Sequence, residues 1–528
     1  MTTPAPAPNP TYGHILRLAW PIILANASTP LLGLVDTAVI GHTRPAAALG
    51  AIAIGSLVLN FIYWAFGFLR MSTTGFVAQA VGAADSLAAR AATLRAIATG
   101  AGLGLGIIIL QIPLALAGFH LMAATDEIAA LGREYFGLRV WAAPATLITF
   151  AVSGALIGLA RTRQLLVLQL ILNGLNITLD VLFAGVLDWG VRGIALGTLI
   201  AEWVAAAYAV FIIWHLLRDH HRDPHPFIPW SELRRLSALR GTFIAQGNIM
   251  IRTLAMLAGF AWFTRQGAAL GETTLAANHI LIGLIGFCAF FLDGFALPAE
   301  SLVGNAQGRR DLRFFDQAVA RTSVLAIATA CLLAATLVVA GPSIIAAMTD
   351  LTSVRSIAQP SLPFAATYVA LSVFAFQLDG IFIGTTRTRE MRNTSLISSG
   401  LFILSSAYFA PTYGLTALWL TFIGYIITRA LTLALHYPAL RHQITHPKPP
   451  SPNPSAPASP SDCRGEACPR PPLPLSHRSD HRPPQTRPPL PPHPTVGARL
   501  AHARPRPSAI GPTTALPKPV RPCLPIRL

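Results

Sequence analysis

Several polar side chains stand inside strongly apolar sequence, and they are where chemistry is to be sought. Asp36 lies in PLLGLVDTAVIGH. Asn173, Asn176 and Asp180 lie in LNGLNITLD, and Thr198 in the apolar run that follows. Asp293 and Glu300 lie in FFLDGFALPAESLVG, and Gln377 and Asp379 in FAFQLDG. An aspartate at the centre of a membrane-spanning helix costs about 2.5–3.5 kcal/mol on insertion scales, so it is kept where it faces a cavity, an ion or a partner. Asp36 has a second reading, as the cap of a helix break near the membrane surface. Asn176 and Asp180, four apart, share a helical face. Asn173 precedes them on the same side, and Thr198 is placed to join them. Two carboxylates and a carboxamide in low dielectric suit the holding of a proton. Desolvation and like charge both favour the neutral carboxyl, and asparagine both donates and accepts. The same oxygens suit sodium, and a buried network that only fixes helix packing is the plainer alternative. Asp293 and Glu300 share one face, and with Gln377 and Asp379 they point to a second polar cavity. Glu300 has the alternative of pairing with a loop arginine. Arg70 either snorkels to the surface or partners a carboxylate.

The elements that must position these residues follow from composition. Of 528 residues, 53% are hydrophobic and 12% charged, with a mean hydropathy of +0.54. A soluble chain carries about 25% charged residues. Many apolar runs approach the roughly 20 residues that a bilayer requires. The expected fold is an all-α polytopic membrane protein. Spans are expected near 15–40, 46–70, 97–118, 135–159, 166–187, 193–215, 242–263, 275–297, 322–340, 361–384, 396–411 and 414–437, twelve in all. Loops after even-numbered spans hold sixteen arginines and loops after odd-numbered spans five. By the positive-inside rule both termini are expected in the cytoplasm.

An internal repeat organises the spans. IGLARTRQ at 157–164 matches IGTTRTRE at 383–390, and AQAVGAAD at 78–85 matches GNAQGRRD at 304–311. Both pairs are 226 residues apart and six spans apart, so the repeats are parallel and predict two pseudo-symmetric bundles. The domain reading is a disordered N-terminus at 1–13, a six-helix lobe at 14–215, a cytoplasmic linker at 216–241, a second six-helix lobe at 242–437, and a Pro/Arg-rich disordered tail at 438–528. From Lys448 the tail carries a net +9 of the chain's +17. It cannot form a core. A Pro-rich ligand, a dispensable extension and out-of-frame coding sequence all fit it.

Other classes are poorly supported. The five cysteines include no CxxC pair, and His215, His220, His221 and His225 read better as part of a basic membrane-facing loop than as a metal site. There is no nucleotide-binding loop, HExxH or GxSxG, so neither an enzyme nor direct ATP drive is expected. No nucleic-acid partner is implied. The mid-membrane segments read as mainly acidic or neutral, which favours cationic ligands.

PLLGLVDTAVIGH, YWAFGFLRMSTTGFVAQAVGAAD, the Asn176–Asp180 segment and FFLDGFALPAESLVG together resemble the DinF-like branch of the multidrug and toxic compound extrusion (MATE) family. The similarity spans about residues 14–437. It implies twelve helices in two lobes, in a cell inner membrane. It also implies export of organic cations or other amphipathic toxic compounds by a monomer, against protons, with sodium as the alternative. No cofactor is implied. Coupling falls, by this resemblance, on Asp36, Asn176, Asp180 and Thr198. Asp379 resembles in position one of the sodium-binding carboxylates of another branch. A flippase of lipid-linked substrates is the competing function. For orientation, a cysteine placed in the 216–241 loop is expected to resist an impermeant thiol reagent applied to intact cells and to react after permeabilisation. Labelling from outside reverses the topology.

Overall fold

The computed structural model describes the backbone of residues 10–43, 46–121, 126–219 and 226–445, and the side chains of 10–28, 50–120, 128–218 and 226–444. The described residues fold entirely into helices and their short connections. In the first half α1 (Tyr12–Thr43) is followed by α2 (Ala46–Ala65), α3 (Phe68–Gly82), α4 (Ser86–Ile109) and α5 (Gln111–Leu121). Then come α6 (Asp126–Arg139), α7 (Ala143–Gly158), α8 (Thr162–Asp180) and α9 (Gly190–Asp219). A short α10 (Trp230–Leu233) leads to α11 (Leu236–Ala269), α12 (Glu272–Arg309), α13 (Leu312–Met348), α14 (Thr352–Gly384), α15 (Thr388–Ala434) and α16 (Tyr437–Thr445).

Among the described residues, ten helical stretches are long and apolar enough to cross a membrane. Several outrun the spans expected from hydropathy: α12 has 38 residues and α13 has 37. Between them the helix end is set by the left-handed Arg310 and the Asp311 cap rather than by the edge of the apolar run, so polar flanks are carried as extra turns. One stretch, α15, hides a reversal. Gly414 has φ 65° and ψ −147°, a conformation open in practice only to glycine. Ser399 and Ser406 meet Ala255 and Trp262 of α11 on the way out, and Arg429 lies beside the residue paired with Arg252 on the way back. The chain therefore turns back on itself at Gly414, at the junction of the spans expected near 396–411 and 414–437.

The repeat is written into the backbone. Ala84, Ala160, Arg310 and Thr386 adopt the left-handed conformation with φ of 56°, 56°, 59° and 54°. Ala84 and Arg310 are 226 apart, as are Ala160 and Thr386. Each closes a helix with the same pair of bonds, for example Asp85 N–H to the Ala80 carbonyl and Asp311 N–H to the Ala306 carbonyl. Asp85 and Asp311 then cap the next helices, accepting from the N–H of Ala88 at 2.8 Å and of Phe314 at 3.0 Å. A side-chain oxygen there satisfies an otherwise orphaned helix donor.

The halves meet along α3 and α12, and the contact is reciprocal. A Cβ at Gly82 would collide with the Asn305 carbonyl, and one at Gly308 with the Gln79 carbonyl. These four positions form two pairs 226 apart. Gln79 Nε2 also donates to the Gly384 carbonyl at 2.9 Å. Small residues let backbones approach where no hydrophobic force drives helices together. Gly308→Ala is expected to cost about 1–3 kcal/mol by overpacking, read as lowered thermal stability in detergent. Gly102→Ala, which meets nothing within 4 Å, serves as the neutral control.

Candidate functional site

In the first half the expected carboxamide face forms. Asn176 Nδ2 donates to Thr198 Oγ1 at 2.8 Å, joining α8 to α9, and Thr198 in turn donates to the Ile194 carbonyl at 2.9 Å. Asn173 Nδ2 donates to Ser28 Oγ at 2.6 Å, joining α8 to α1. Asp180 is fully buried. Its carboxylate lies against Gly197 of α9, where any side chain would displace it. The helix changes to π-helical winding at Val181–Val186, immediately after Asp180, a feature often found at functional sites. Asp36 belongs to α1, and its side chain lies outside the described residues.

A second network stands one turn along α9 from Thr198, and the sequence reading passed over it. Glu202 Oε1 accepts from Arg139 Nη2 at 3.0 Å, and its other oxygen accepts from Thr146. Arg139 Nη1 reaches the Tyr135 hydroxyl at 2.9 Å, which lies 2.8 Å from Ser56 Oγ. This ties α2, α6, α7 and α9 together. The available signal was an arginine and a glutamate each isolated in apolar sequence.

The second half departs from expectation. Asp379 is buried, and its Oδ2 accepts from both Arg252 Nη2 of α11 and Arg429 Nη2 of α15. Arg252 and Arg429 lie within long apolar helices and Arg139 closes α6, so the membrane segments are not mainly acidic or neutral; charges of both signs are interleaved. Gln377 is buried, and its side-chain amide makes no hydrogen bond to the described residues. Being two residues from Asp379, it points to a different side of α14. Asp293 is half-buried and lies in electrostatic range of Arg70, Asp379, Arg252 and Arg429. Glu300 finds its partner in a helix: Arg70 Nη1 of α3 stands 3.6 Å from Glu300 Oε2. Asn278 accepts from Trp419 Nε1 at 3.1 Å, a packing role, while His279 is exposed.

Comparisons with known proteins identify the family. The MatE family model matches residues 21–182 and 249–409. The chain belongs to the MatE family. DNA damage-inducible protein F of Escherichia coli (strain K12) is 34% identical over 424 residues, covering 79% of this chain and 90% of that protein. DETOXIFICATION 44, chloroplastic, of Arabidopsis thaliana is 28% identical, covering 78% of this chain and 80% of that one. A MATE crystal structure in the straight conformation shares the fold with a TM-score of 0.73 at 19% identity, covering 83% of this chain and 97% of that one. As a member of this family the chain is a secondary active multidrug and toxic compound transporter, and not an enzyme.

The matched segments contain the Asn176–Asp180 face, Asp293, Gln377 and Asp379, and break off between the repeats at 183–248. Chemically, the two halves differ. Besides the Glu202–Arg139 pair, the first offers the buried Asp180 carboxylate one turn from the Asn176–Thr198 bond. The second offers a carboxylate already saturated by two guanidinium groups. Asp379→Ala leaves both arginines uncompensated, and breaking a buried pair from one side costs about 3–5 kcal/mol. Its thermal unfolding in detergent is expected to fall accordingly, with partial recovery on adding Arg429→Met.

Proposed function

We propose that this chain is a proton-coupled exporter of amphipathic organic cations. It spans a cell inner membrane with twelve helices in two six-helix lobes, at 14–215 and 242–437. The 216–241 linker and both termini are cytoplasmic, and the unit is a monomer. The ten long apolar helical stretches, together with α1 and the reversal at Gly414, support the count of twelve. The sixteen-to-five distribution of loop arginines supports the orientation.

Coupling is assigned to Asp36 and Asp180, tuned by Asn176 and Thr198. The observation that carries this is the buried Asp180 carboxylate set one turn from the Asn176–Thr198 bond. The repeat adds support. Residues 226 positions beyond Asp36 and Asp180 are Trp262 and Ser406, and Trp262 Nε1 donates to Ser406 Oγ at 2.8 Å. Helix neighbours in one half thus have their counterparts in contact in the other. Two carboxylates sharing a low-dielectric lobe cannot both remain ionised at little cost, so a proton is shared between them. Proton and organic cation then compete for the lobe, and exchange follows where each shifts the inward and outward states differently.

Sodium coupling through Asp379 is disfavoured, because Arg252 and Arg429 already occupy that carboxylate. Arg139, Arg70, Arg252 and Arg429 have carboxylate partners in Glu202, Glu300 and Asp379, so these four do not stand ready as anchors for an anionic headgroup. This weighs against the flippase reading. Asp293, Asn173 and Gln377 are assigned to substrate handling.

The test uses purified protein in liposomes, with proton and sodium gradients applied separately and efflux of an ethidium-like dye measured. Proton-driven efflux is expected, abolished in Asp36→Asn and Asp180→Asn. In Asn176→Ala its pH dependence is expected to shift with a smaller loss of rate. Proton-driven exchange surviving in both aspartate variants refutes the assignment, and sodium-driven exchange lost in Asp379→Asn moves coupling to the second lobe.

A further inference from the structure

We propose that Glu300 is a proton-binding site in its own right, and that in its ionised form it locks the two halves together through Arg70. The proposal rests on the transport reading only in that a carrier must open at alternate ends. Its first basis is the unsaturated state of the pair. Glu300 is 2% exposed, yet its Oε2 and the facing Arg70 Nη1, 3.6 Å apart, make no hydrogen bond among the described residues. Asp379 and Glu202 are each held by two direct donors. Glu300 is held across a gap by charge alone, and taking up a proton removes that hold without breaking a hydrogen bond.

The second basis is position. Arg70 opens α3, just after the break at Phe66–Gly67, and Glu300 lies on α12 beyond Pro298. The backbones at both sites are clamped: the Arg70 carbonyl lies against Gly154 and the Glu300 carbonyl against Gly384. Only the side chains have freedom. The reciprocal seam of Gly82 with Asn305 and Gly308 with Gln79 continues along the same two helices. The repeat counterparts of Arg70 and Glu300 are Ala296 and Thr74. The symmetric seam therefore carries one asymmetric ion pair.

The third basis is charge balance. The groups in electrostatic range of Glu300 are Arg70 on α3, Asp293 on its own helix, Arg252 on α11 and Asp379 on α14, with Arg429 on α15 reached through Asp293 and Asp379. Among the described residues, the other helices packed on α12, namely α1, α7 and α13, contribute none of the groups in this set. Among the described residues three guanidinium groups thus face three carboxylates. A proton on Glu300 leaves the cluster net positive. Arg70, whose side chain is 25% exposed against 3% for Glu300, is the member with a route to water and is the one expelled. Once it leaves, α3 and α12 retain only neutral contacts at this end.

The experiment measures a distance, not transport. Spin labels are placed at Arg163 and Arg389, exposed and 226 apart in the first turns of α8 and α15, in full-length protein with its five native cysteines replaced. Electron–electron distances are recorded in nanodiscs at pH 8.0 and pH 5.5. The parent protein is expected to show a short distance at high pH and a growing long-distance population at low pH. Glu300→Gln is expected to raise the long-to-short ratio about tenfold at pH 8.0, the change that about 1.4 kcal/mol produces, and to lose the response to pH. The charge swap Arg70→Glu with Glu300→Arg is expected to return the short distance. An unchanged distribution in Glu300→Gln, or a swap that stays long while monodisperse, overturns the proposal. Asp180→Asn is expected to keep the pH response of the distance. If that variant loses the response while Glu300→Gln retains it, the lock is overturned even though the coupling assignment stands.

Discussion

A charge withdrawn from water must be matched inside the protein, and that requirement dictates which helices of this chain meet. Asp379 draws α11, α14 and α15 together through two arginines. Glu202 draws α6, α7 and α9 together. Glu300 and Arg70 join α12 to α3. In lipid, helix association has no hydrophobic force behind it, because acyl chains are as apolar as leucine. Close backbone packing at glycines and pairing of interior charges supply what burial supplies in water. The two devices coincide at α3 and α12, where the clamped carbonyls of Arg70 and Glu300 belong to the same residues whose side chains form the ion pair.

Much of this was legible in the sequence, and the reasons are physical. Spans were legible because hydropathy is imposed by the solvent and needs no tertiary information. The Asn176–Asp180 face was legible because a helix converts a spacing of four into adjacency, and Thr198 completes it. The repeat was legible from two short matches, and the left-handed residues Ala84, Ala160, Arg310 and Thr386 show what those matches encode: helix-ending turns rather than ligand contacts. Helix lengths were less legible, since capping residues set the ends and apolar runs do not.

The arginines were the chief loss. Arg252 in IMIRTLAML and Arg429 in IITRALTL are as isolated in apolar sequence as Asp36, and the insertion cost that singles out an aspartate applies to them equally. Their partner lies 127 and 50 residues away, a distance across which no helical periodicity carries information. For the same reason the mid-membrane segments read as mainly acidic or neutral when charges of both signs are interleaved. The consequence is functional, because a carboxylate held by two guanidinium groups and one beside a hydroxyl and a carboxamide differ in what they can bind.

The repeat sharpens that difference. Both halves share a scaffold, down to the φ angles of their turns, but interior polar groups do not obey the 226-residue spacing. The counterpart of Asp180 is Ser406, and that of Asp379 is Ser153. The counterpart of Glu202 is Thr428, and those of Arg70 and Glu300 are Ala296 and Thr74. In every case a charged residue in one half answers to a neutral one in the other. A symmetric scaffold with symmetric charges would bind the same ligand twice and respond to it twice. Placing the charges asymmetrically on symmetric helices gives the two halves different interior chemistry, and it leaves the seam between α3 and α12 with a single charged contact. Alternating access requires that the two ends of the seam be unequal at any moment. Here that inequality comes from a few side chains, because the backbone contacts on either side of the pseudo-two-fold are the same.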